Sequence, residues 1–359
     1  MTIKQYDTAM IVGARPNFVK VAPLLKFFEK NGKKVLFIHT GQHWDKNMSD
    51  DIFKDIGLRE PDVNLNIKNK SMNIQLGNII NELDPYIKHN KTKSLFVFGD
   101  VTSTLSGALV AKNNSVDCFH IEAGLRSNNL NMPEERNRIM VDSICDKLFT
   151  PSKDAVDNLL NENISKEKIF NVGNIMIDTL LDNFDKITSN QNTVSSEFSI
   201  NREYFVLTLH RPINLVDEKL TLIFDGLSEF TDKYDIIIPA HPRLKAFIQE
   251  NNFDTSGFKV IDPQPYIKFL TLVNNSNLCL TDSGGLQEET TYLNKKCLTL
   301  RDETERPVTV EMGTNRVIGV SKNIINEINN SLNTKISESK KIELWDGKTS
   351  QRIYEEIYD

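Results

Sequence analysis

The chain has 359 residues, 43 Lys and Arg against 49 Asp and Glu, a formal net charge of −6 and 26% charged residues. At roughly 150 residues per domain, this length gives two domains, each large enough to bury its own core. The acidic balance excludes nucleic acid as the main partner, because phosphate neutralisation needs clustered Lys and Arg.

No stretch approaches the roughly 20 apolar residues of a membrane span, and the apolar run Ala9–Val12 is too short for a signal-peptide core. The four cysteines, Cys118, Cys145, Cys279 and Cys297, form no CxxC pair and lie in or beside apolar runs. They read as buried free thiols in a reducing cytoplasm.

In chain order, Met10–Val12, Val35–His39, Ser94–Phe98, Cys118–Ile121 and Lys147–Thr150 are short apolar runs rich in Val, Ile, Phe or Leu, which predict buried strands. Between them, Val19–Phe28, Ile74–Leu83 and Ser103–Ala111 have helical periodicity. Strand followed by helix, repeated, predicts βαβ units and a parallel sheet. The pattern weakens after Gly173, and Thr188–Ile200, rich in Ser, Asn, Thr and Gln, predicts a surface loop or interdomain connection. Alternation resumes with strand candidates Tyr204–Leu209, Ile236–Pro239, Lys259–Ile261, Asn277–Leu280 and Cys297–Leu300, and a helical pattern closes the chain at Ser350–Tyr358. The expected fold is α/β, two Rossmann-like doubly wound domains: 1–172, with a C-terminal helix at about 347–359, and 173–346. Such sheets bind ligands at the carboxyl ends of their strands, so the expected site is a cleft that the two domains face.

Polar residues after strands are therefore the candidates. Arg15 and Lys20 lie near the start of a helix after the first strand, where two cations and a helix N-terminus suit a phosphate. The run Thr281-Asp282-Ser283-Gly284-Gly285 leads from a strand into a helix, and its backbone N–H groups suit a diphosphate. Glu289, about one turn inside that helix, suits ribose hydroxyls. Asp100 and Glu122 stand at strand ends, and Glu134 and Glu135 open a helix. Carboxylates converging from separate segments suit proton transfer, through mutual repulsion and desolvation. His210-Arg211, His241 with Arg243, and Arg306 bring cationic groups to strand ends. No GxGxxG, GxxxxGK[ST], HExxH or GxSxG occurs, which disfavours a dinucleotide cofactor, P-loop chemistry, a zinc helix and a serine hydrolase. The residues describe an enzyme that grips a nucleoside diphosphate, and leave glycosyl transfer, hydrolysis and epimerisation open.

The ordered segments GARPNFVK at 13–20, HTGQHWD at 39–45, GDVTST at 99–104, HIEAGLRS at 120–127 and MPEERNR at 132–138 resemble the non-hydrolysing UDP-N-acetylglucosamine 2-epimerases. VGNIMIDTL at 172–180, TLHRP at 208–212, AHPR at 240–243, TDSGGLQEE at 281–289 and LRDETERPVTVEMGTNR at 300–316 extend the resemblance over nearly the whole chain. It implies a GT-B-like arrangement, with the C-terminal helix returning to the first domain. It implies interconversion of UDP-N-acetylglucosamine and UDP-N-acetylmannosamine by elimination of UDP, giving 2-acetamidoglucal, and re-addition, with no cofactor and no metal. It further implies a cytoplasmic homodimer that supplies surface-polysaccharide precursors. Carried over, Asp100, Glu122, Glu134 and His210 form the catalytic set. Arg15 and Lys20 lie near the phosphates and sugar, and Ser283, Gly284 and Gly285 form the diphosphate nest. Glu289 contacts the ribose, Arg306 the UDP and Phe269 the uracil. Gln42, His43 and His241 are candidates for a second, activating UDP-sugar site. One departure is Ile213, where many members carry Glu. Relatives acting on UDP-2,3-diacetamido-glucuronic acid tend to differ around Thr304-Glu305-Arg306-Pro307, which is intact here, and a GT-B glycosyltransferase is the other alternative.

Overall fold

The computed structural model describes residues 5–41, 52–68, 71–335 and 341–358. It divides into two compact units, Met1–Asp182 with Glu343–Asp359, and Asn183–Ile342. The first unit thus runs past residue 172 and includes the helix that follows Gly173.

In the first unit the strands are β1 (Thr8–Val12), β2 (Val35–His39), β3 (Val63–Asn64), β4 (Ser94–Phe98), β5 (Asp117–Ile121), β6 (Lys147–Thr150) and β7 (Ile169–Asn171). They form a parallel sheet ordered β3-β2-β1-β4-β5-β6-β7. Helices α1 (Arg15–Lys30), α2 (Met72–Asn90), α3 (Thr102–Asn113), α4 (Pro133–Ile144), α5 (Lys153–Asn161) and α6 (Ile175–Asp182) belong with it. Both faces of the sheet are covered, so its central strands are apolar runs with few polar residues, among them the buried His120 of β5. Ala9, Ile11, Leu95 and Val97 fill one core cluster. Phe28, Phe96 and Phe119 form an edge-to-face chain with centroids 5.4 and 5.2 Å apart, the arrangement that aromatic quadrupoles favour.

The last helix, α15 (Thr349–Tyr358), packs on this unit: Tyr354 lies 5.3 Å from Phe28, and Asp178 of α6 accepts from Ser350 N at 2.8 Å. Gly173 has φ +89°, and a Cβ there would stand 2.1 Å from Leu344 O. The returning segment can pass only over a glycine.

The second unit has strands β8 (Tyr204–Thr208), β9 (Asp235–Pro239), β10 (Phe258–Ile261), β11 (Leu278–Thr281), β12 (Cys297–Thr299) and β13 (Asn315–Val317), ordered β10-β9-β8-β11-β12-β13 and all parallel. Its helices are α7 (Phe184–Ser189), α8 (Gln191–Glu197), α9 (Asp217–Ser228), α10 (Pro242–Glu250), α11 (Tyr266–Asn275), α12 (Gly284–Tyr292), α13 (Pro307–Glu311) and α14 (Ile324–Asn333). The expected loop at 188–200 is corrected here, since α8 occupies most of it. Its one buried apolar residue, Val194, and the Glu197–Lys268 ion pair at 2.8 Å make a helix of a polar sequence through tertiary contact. The strand reading lacks β3, β7 and β13, which are two- or three-residue edge strands too short for a burial pattern. In both sheets the strand order reverses beside the first strand, at β1/β4 and at β8/β11. These are the switch points where doubly wound sheets bind ligands.

Candidate active site

At the first switch point, α1 begins directly after β1. Asn17 Oδ1 accepts from Ala14 N at 3.1 Å, and Asn17 Nδ2 donates to Phe98 O at 3.0 Å, tying the helix start to the end of β4. Lys20 is buried and ion-paired with Glu122, which follows β5. The expectation put Lys20 near phosphates and sugar; within this unit its partner is this carboxylate. Glu122 has φ +70°, a left-handed conformation for a non-glycine residue, which costs about 1–3 kcal/mol and persists only where its surroundings fix it. Gly99, at φ +65°, makes room for the pair: a Cβ there would lie 3.0 Å from Lys20 Nζ and 3.2 Å from Glu122 Oε2.

Asp100 Oδ2 lies 2.5 Å from Arg138 Nη2, and its backbone oxygen accepts from Asn137 Nδ2 at 2.8 Å. Arg138 also donates to Glu135 Oε2 at 2.7 Å, while Glu135 accepts from Ser127 N and Asn128 N. The adjacent glutamates therefore differ. Glu135 is buried and holds the loop before α4. Glu134 is half-buried, with no hydrogen bond or ion pair found among the described residues. Sequence reasoning weighed mutual repulsion among carboxylates; in the structure Asp100 and Glu122 each face a cation instead. Arg15 opens α1 half-buried at the same sheet end.

In the second unit, Asp282 is the organising group, and sequence reasoning missed it. Fully buried, it accepts from the backbone N of His210 at 3.1 Å and of Arg211 at 3.0 Å, and its Oδ1 lies 2.9 Å from His210 Nδ1. Burial pushes its pKa upward, but the His210 contact and the two backbone donors outweigh it, so it stays below the ordinary carboxylate range. An ionised Asp282 fixes the ring with Nδ1–H toward it and leaves Nε2 for a ligand, as an orienting acid does for a histidine base. Its place between a strand and a Ser-Gly-Gly turn was the available signal. His241 caps α10, its ring 6.2 Å from that of His210.

Ser283 caps α12, its Oγ accepting from Leu286 N at 3.5 Å. A Cβ on Gly284 would stand 2.3 Å from Arg306 Nη1, so this glycine admits the guanidinium to the helix start. Gly285 is the next residue of α12. Arg306 pairs with Glu305 at 2.6 Å and Glu288 at 3.0 Å. Glu305 also meets Arg301 at 2.7 Å and lies 3.6 Å from Arg211. Three guanidinium groups thus gather beside a helix N-terminus, whose donors suit a diphosphate. Glu289, one turn on, is buried and accepts from Tyr266 Oη at 2.9 Å. Burial pushes its pKa up to about 8. Phe269 follows Tyr266 by three residues on α11 and is half-buried. Ile213 is 61% exposed. Gln42 and His43 lie outside the described residues. No helix among the described residues is long and apolar enough to cross a membrane.

Two parallel sheets flanked by helices, carrying carboxylates at one switch point and an arginine-lined helix N-terminus at the other, define a nucleotide-sugar enzyme of the GT-B-like class. The family model described as UDP-N-acetylglucosamine 2-epimerase matches residues 26–358, and the chain belongs to this family of isomerases. The UDP-N-acetylglucosamine 2-epimerase of Methanocaldococcus jannaschii is 40% identical over 96% of this chain and 97% of its own. Its structure in complex with UDP-GlcNAc and UDP has a TM-score of 0.91 at 39% identity, covering 98% and 99% of the two chains. The UDP-2,3-diacetamido-2,3-dideoxy-D-glucuronate 2-epimerase of Pseudomonas aeruginosa is 37% identical over 96% of this chain and 97% of its own.

Proposed function

We propose that the protein interconverts UDP-N-acetylglucosamine and UDP-N-acetylmannosamine by elimination and re-addition of UDP. The carboxylate set of Asp100, Glu122 and Glu134 carries the reading: proton acceptors at the ends of two neighbouring strands and on the helix that braces them, with no redox group required. A carboxylate takes the C2 proton, the C2–H electron pair becomes the C1=C2 bond, and the C1–O bond breaks to release UDP. Return of a proton to the opposite face of C2, with UDP re-adding at C1, gives the epimer. Lys20 and Arg138 hold Glu122 and Asp100 as acceptors. His210, oriented by Asp282, stabilises or protonates the departing diphosphate, with Arg15 also near the phosphates. Arg306 and the N-terminus of α12, with Ser283, Gly284 and Gly285, oppose charge building on that group. Glu289 takes the ribose hydroxyls and Phe269 neighbours the uracil.

Proton NMR of the enzyme with UDP-N-acetylglucosamine in deuterated water tests the reading. UDP-N-acetylmannosamine labelled at C2, with little free UDP, is the expected result, and Asp100→Asn or Glu122→Gln should abolish turnover while UDP still binds. Full activity in both variants would remove the assignment. Release of UDP without C2 exchange would favour a glycosyltransferase. The Pseudomonas aeruginosa relative supports a second reading, epimerisation of UDP-2,3-diacetamido-glucuronic acid, which the same assay decides with that sugar. The proposal includes a cytoplasmic homodimer, its assembly checked by sedimentation, that feeds surface-polysaccharide synthesis. Activation through Gln42, His43 and His241 would show as sigmoidal dependence on UDP-N-acetylglucosamine.

A further inference from the structure

Helix α4 presents Glu134, Arg138 and Asp142 at successive four-residue intervals, so they follow one stripe of the helix. Glu134 belongs to the carboxylate set, and Arg138 holds Asp100. Asp142 holds the surroundings of Glu122. Its Oδ1 lies 2.6 Å from His120 Nδ1, and its Oδ2 takes Gly124 N at 3.1 Å and Arg126 Nη1 at 2.8 Å. Residues 120 and 124 flank Glu122 by two positions on each side, so a single carboxylate clamps both ends of the segment that keeps Glu122 left-handed. His120 is fully buried, and its Nε2 lies 2.7 Å from Gly99 O, in the loop that carries Asp100 and makes room for the Lys20–Glu122 pair.

The proton positions follow from the partners. A carbonyl oxygen only accepts, so Nε2 bears hydrogen. Asp142 accepts from Gly124 N and from the guanidinium of Arg126, which favours its ionised form, so the ring contact on Oδ1 is a donation from Nδ1–H. The charge is tolerable in the interior because it is cancelled: Arg126 also gives Nε and Nη2 to Glu162 at 2.6 and 2.7 Å, making an alternating chain of His120, Asp142, Arg126 and Glu162 with no net charge. Although burial alone would raise it, the Asp142 pKa lies below the ordinary value because His120 and Arg126 outweigh that effect.

We propose that Asp142, acting through a doubly protonated His120, is a positioning residue that fixes Glu122 and the Gly99-Asp100 loop in their reactive places. The proposal rests on the assignment of Asp100 and Glu122 to the reaction. Asp142→Asn preserves the shape but removes the charge that keeps both ring nitrogens protonated. Its amide nitrogen can donate to Nδ1 of a neutral His120 that keeps Nε2–H on Gly99 O, with the amide oxygen left for Gly124 N and Arg126, whereas Asp142→Ala removes the acceptor from all three and frees both ends of the segment.

The test combines steady-state kinetics with nitrogen-15 NMR of His120 in the unliganded enzyme at neutral pH. Asp142→Ala should lower kcat about 100-fold or more, the scale of lost proton-transfer geometry, and Asp142→Asn should recover most of that loss, while KM and the Kd for UDP stay near those of the native enzyme. His120→Gln, whose amide N reaches toward the Nε2 position, should retain more kcat than His120→Asn, which is too short to reach Gly99 O. Thermal unfolding of each variant separates this order from simple loss of fold, since a merely structural role would rank kcat by stability. The native spectrum should show both ring nitrogens protonated, and that of Asp142→Asn only one. An unchanged kcat in Asp142→Ala, a loss expressed in KM and UDP affinity alone, or a neutral His120 in the native enzyme would overturn the proposal. The reaction reading is judged separately, by turnover of the native enzyme in deuterated water. The His120 spectrum reads the clamp whichever sugar is turned over.

Discussion

Glu289 offers a perturbation whose size follows from its surroundings. It is buried on α12, with Tyr266 Oη 2.9 Å from its Oε1. Burial, the largest effect, raises its pKa to about 8 from an ordinary 4.5; the Tyr266 hydrogen bond opposes the rise and Glu288 adds to it. The unfolded chain gives up this proton near 4.5 and the folded chain near 8. Between those values the unfolded state binds fewer protons, so stability falls as pH rises, by about 1.4 kcal/mol per pH unit. At pH 7 the group costs roughly 3 kcal/mol, and the loss levels off above about pH 8. Glu289→Gln keeps an acceptor for Tyr266 and removes the titration. Urea unfolding across this range should show the variant gaining on the native protein by about that slope, from near parity below about pH 4 to a plateau above about pH 8. A difference independent of pH would refute the argument. Ribose hydroxyls donating to Glu289 would favour its ionised form. UDP binding near pH 7 should therefore release a proton, visible as a dependence of calorimetric heat on buffer ionisation enthalpy that Glu289→Gln abolishes.

Asp282→Asn should free the His210 ring and lower kcat by about 100-fold or more with UDP affinity largely kept, measured by epimerisation rate and by titration with UDP. Gly284→Ala should displace the Arg306 guanidinium from the start of α12 and weaken UDP binding by about 10-fold or more, roughly the worth of one charge-assisted hydrogen bond. Gly173→Ala meets both a φ of +89° and Leu344 O at 2.1 Å. It should destabilise the first unit by about 3 kcal/mol and detach the C-terminal segment, read by thermal unfolding and by proteolysis near residue 344.

The central strands were legible because they are covered on both faces and therefore read as short, mostly apolar runs. Val35–His39, Ser94–Phe98 and Lys147–Thr150 have the same ends in sequence and structure. The edge strands β3, β7 and β13 were not, since a two- or three-residue strand carries too little burial to stand out. Helix α8 was hidden for the opposite reason. Its polar residues read as a loop, and only Val194 and the Glu197–Lys268 pair, formed against α11, make it a helix. Candidate residues at strand ends could be named from strand position and motif. Their partners could not: nothing local distinguishes Glu134, open on its helix, from Glu135, spent on the loop before it, or marks Asp282 as the acid that orients His210.

By itself the sequence determined the α/β class, the two halves and the family. Alternating apolar and amphipathic runs dictate βαβ units, and the ordered motifs carry the chemistry of a nucleotide-sugar site. The tertiary structure decided which charge meets which. Lys20 reaches Glu122 across 102 residues, Arg138 reaches Asp100 across 38, and His210 meets Asp282 across 72. Hydrophobic periodicity reports how far a residue is buried but not which strand will lie beside its own. These pairings follow from the sheet orders, which bring β1, β4 and β5, and then β8 and β11, side by side and bring their carboxyl ends together.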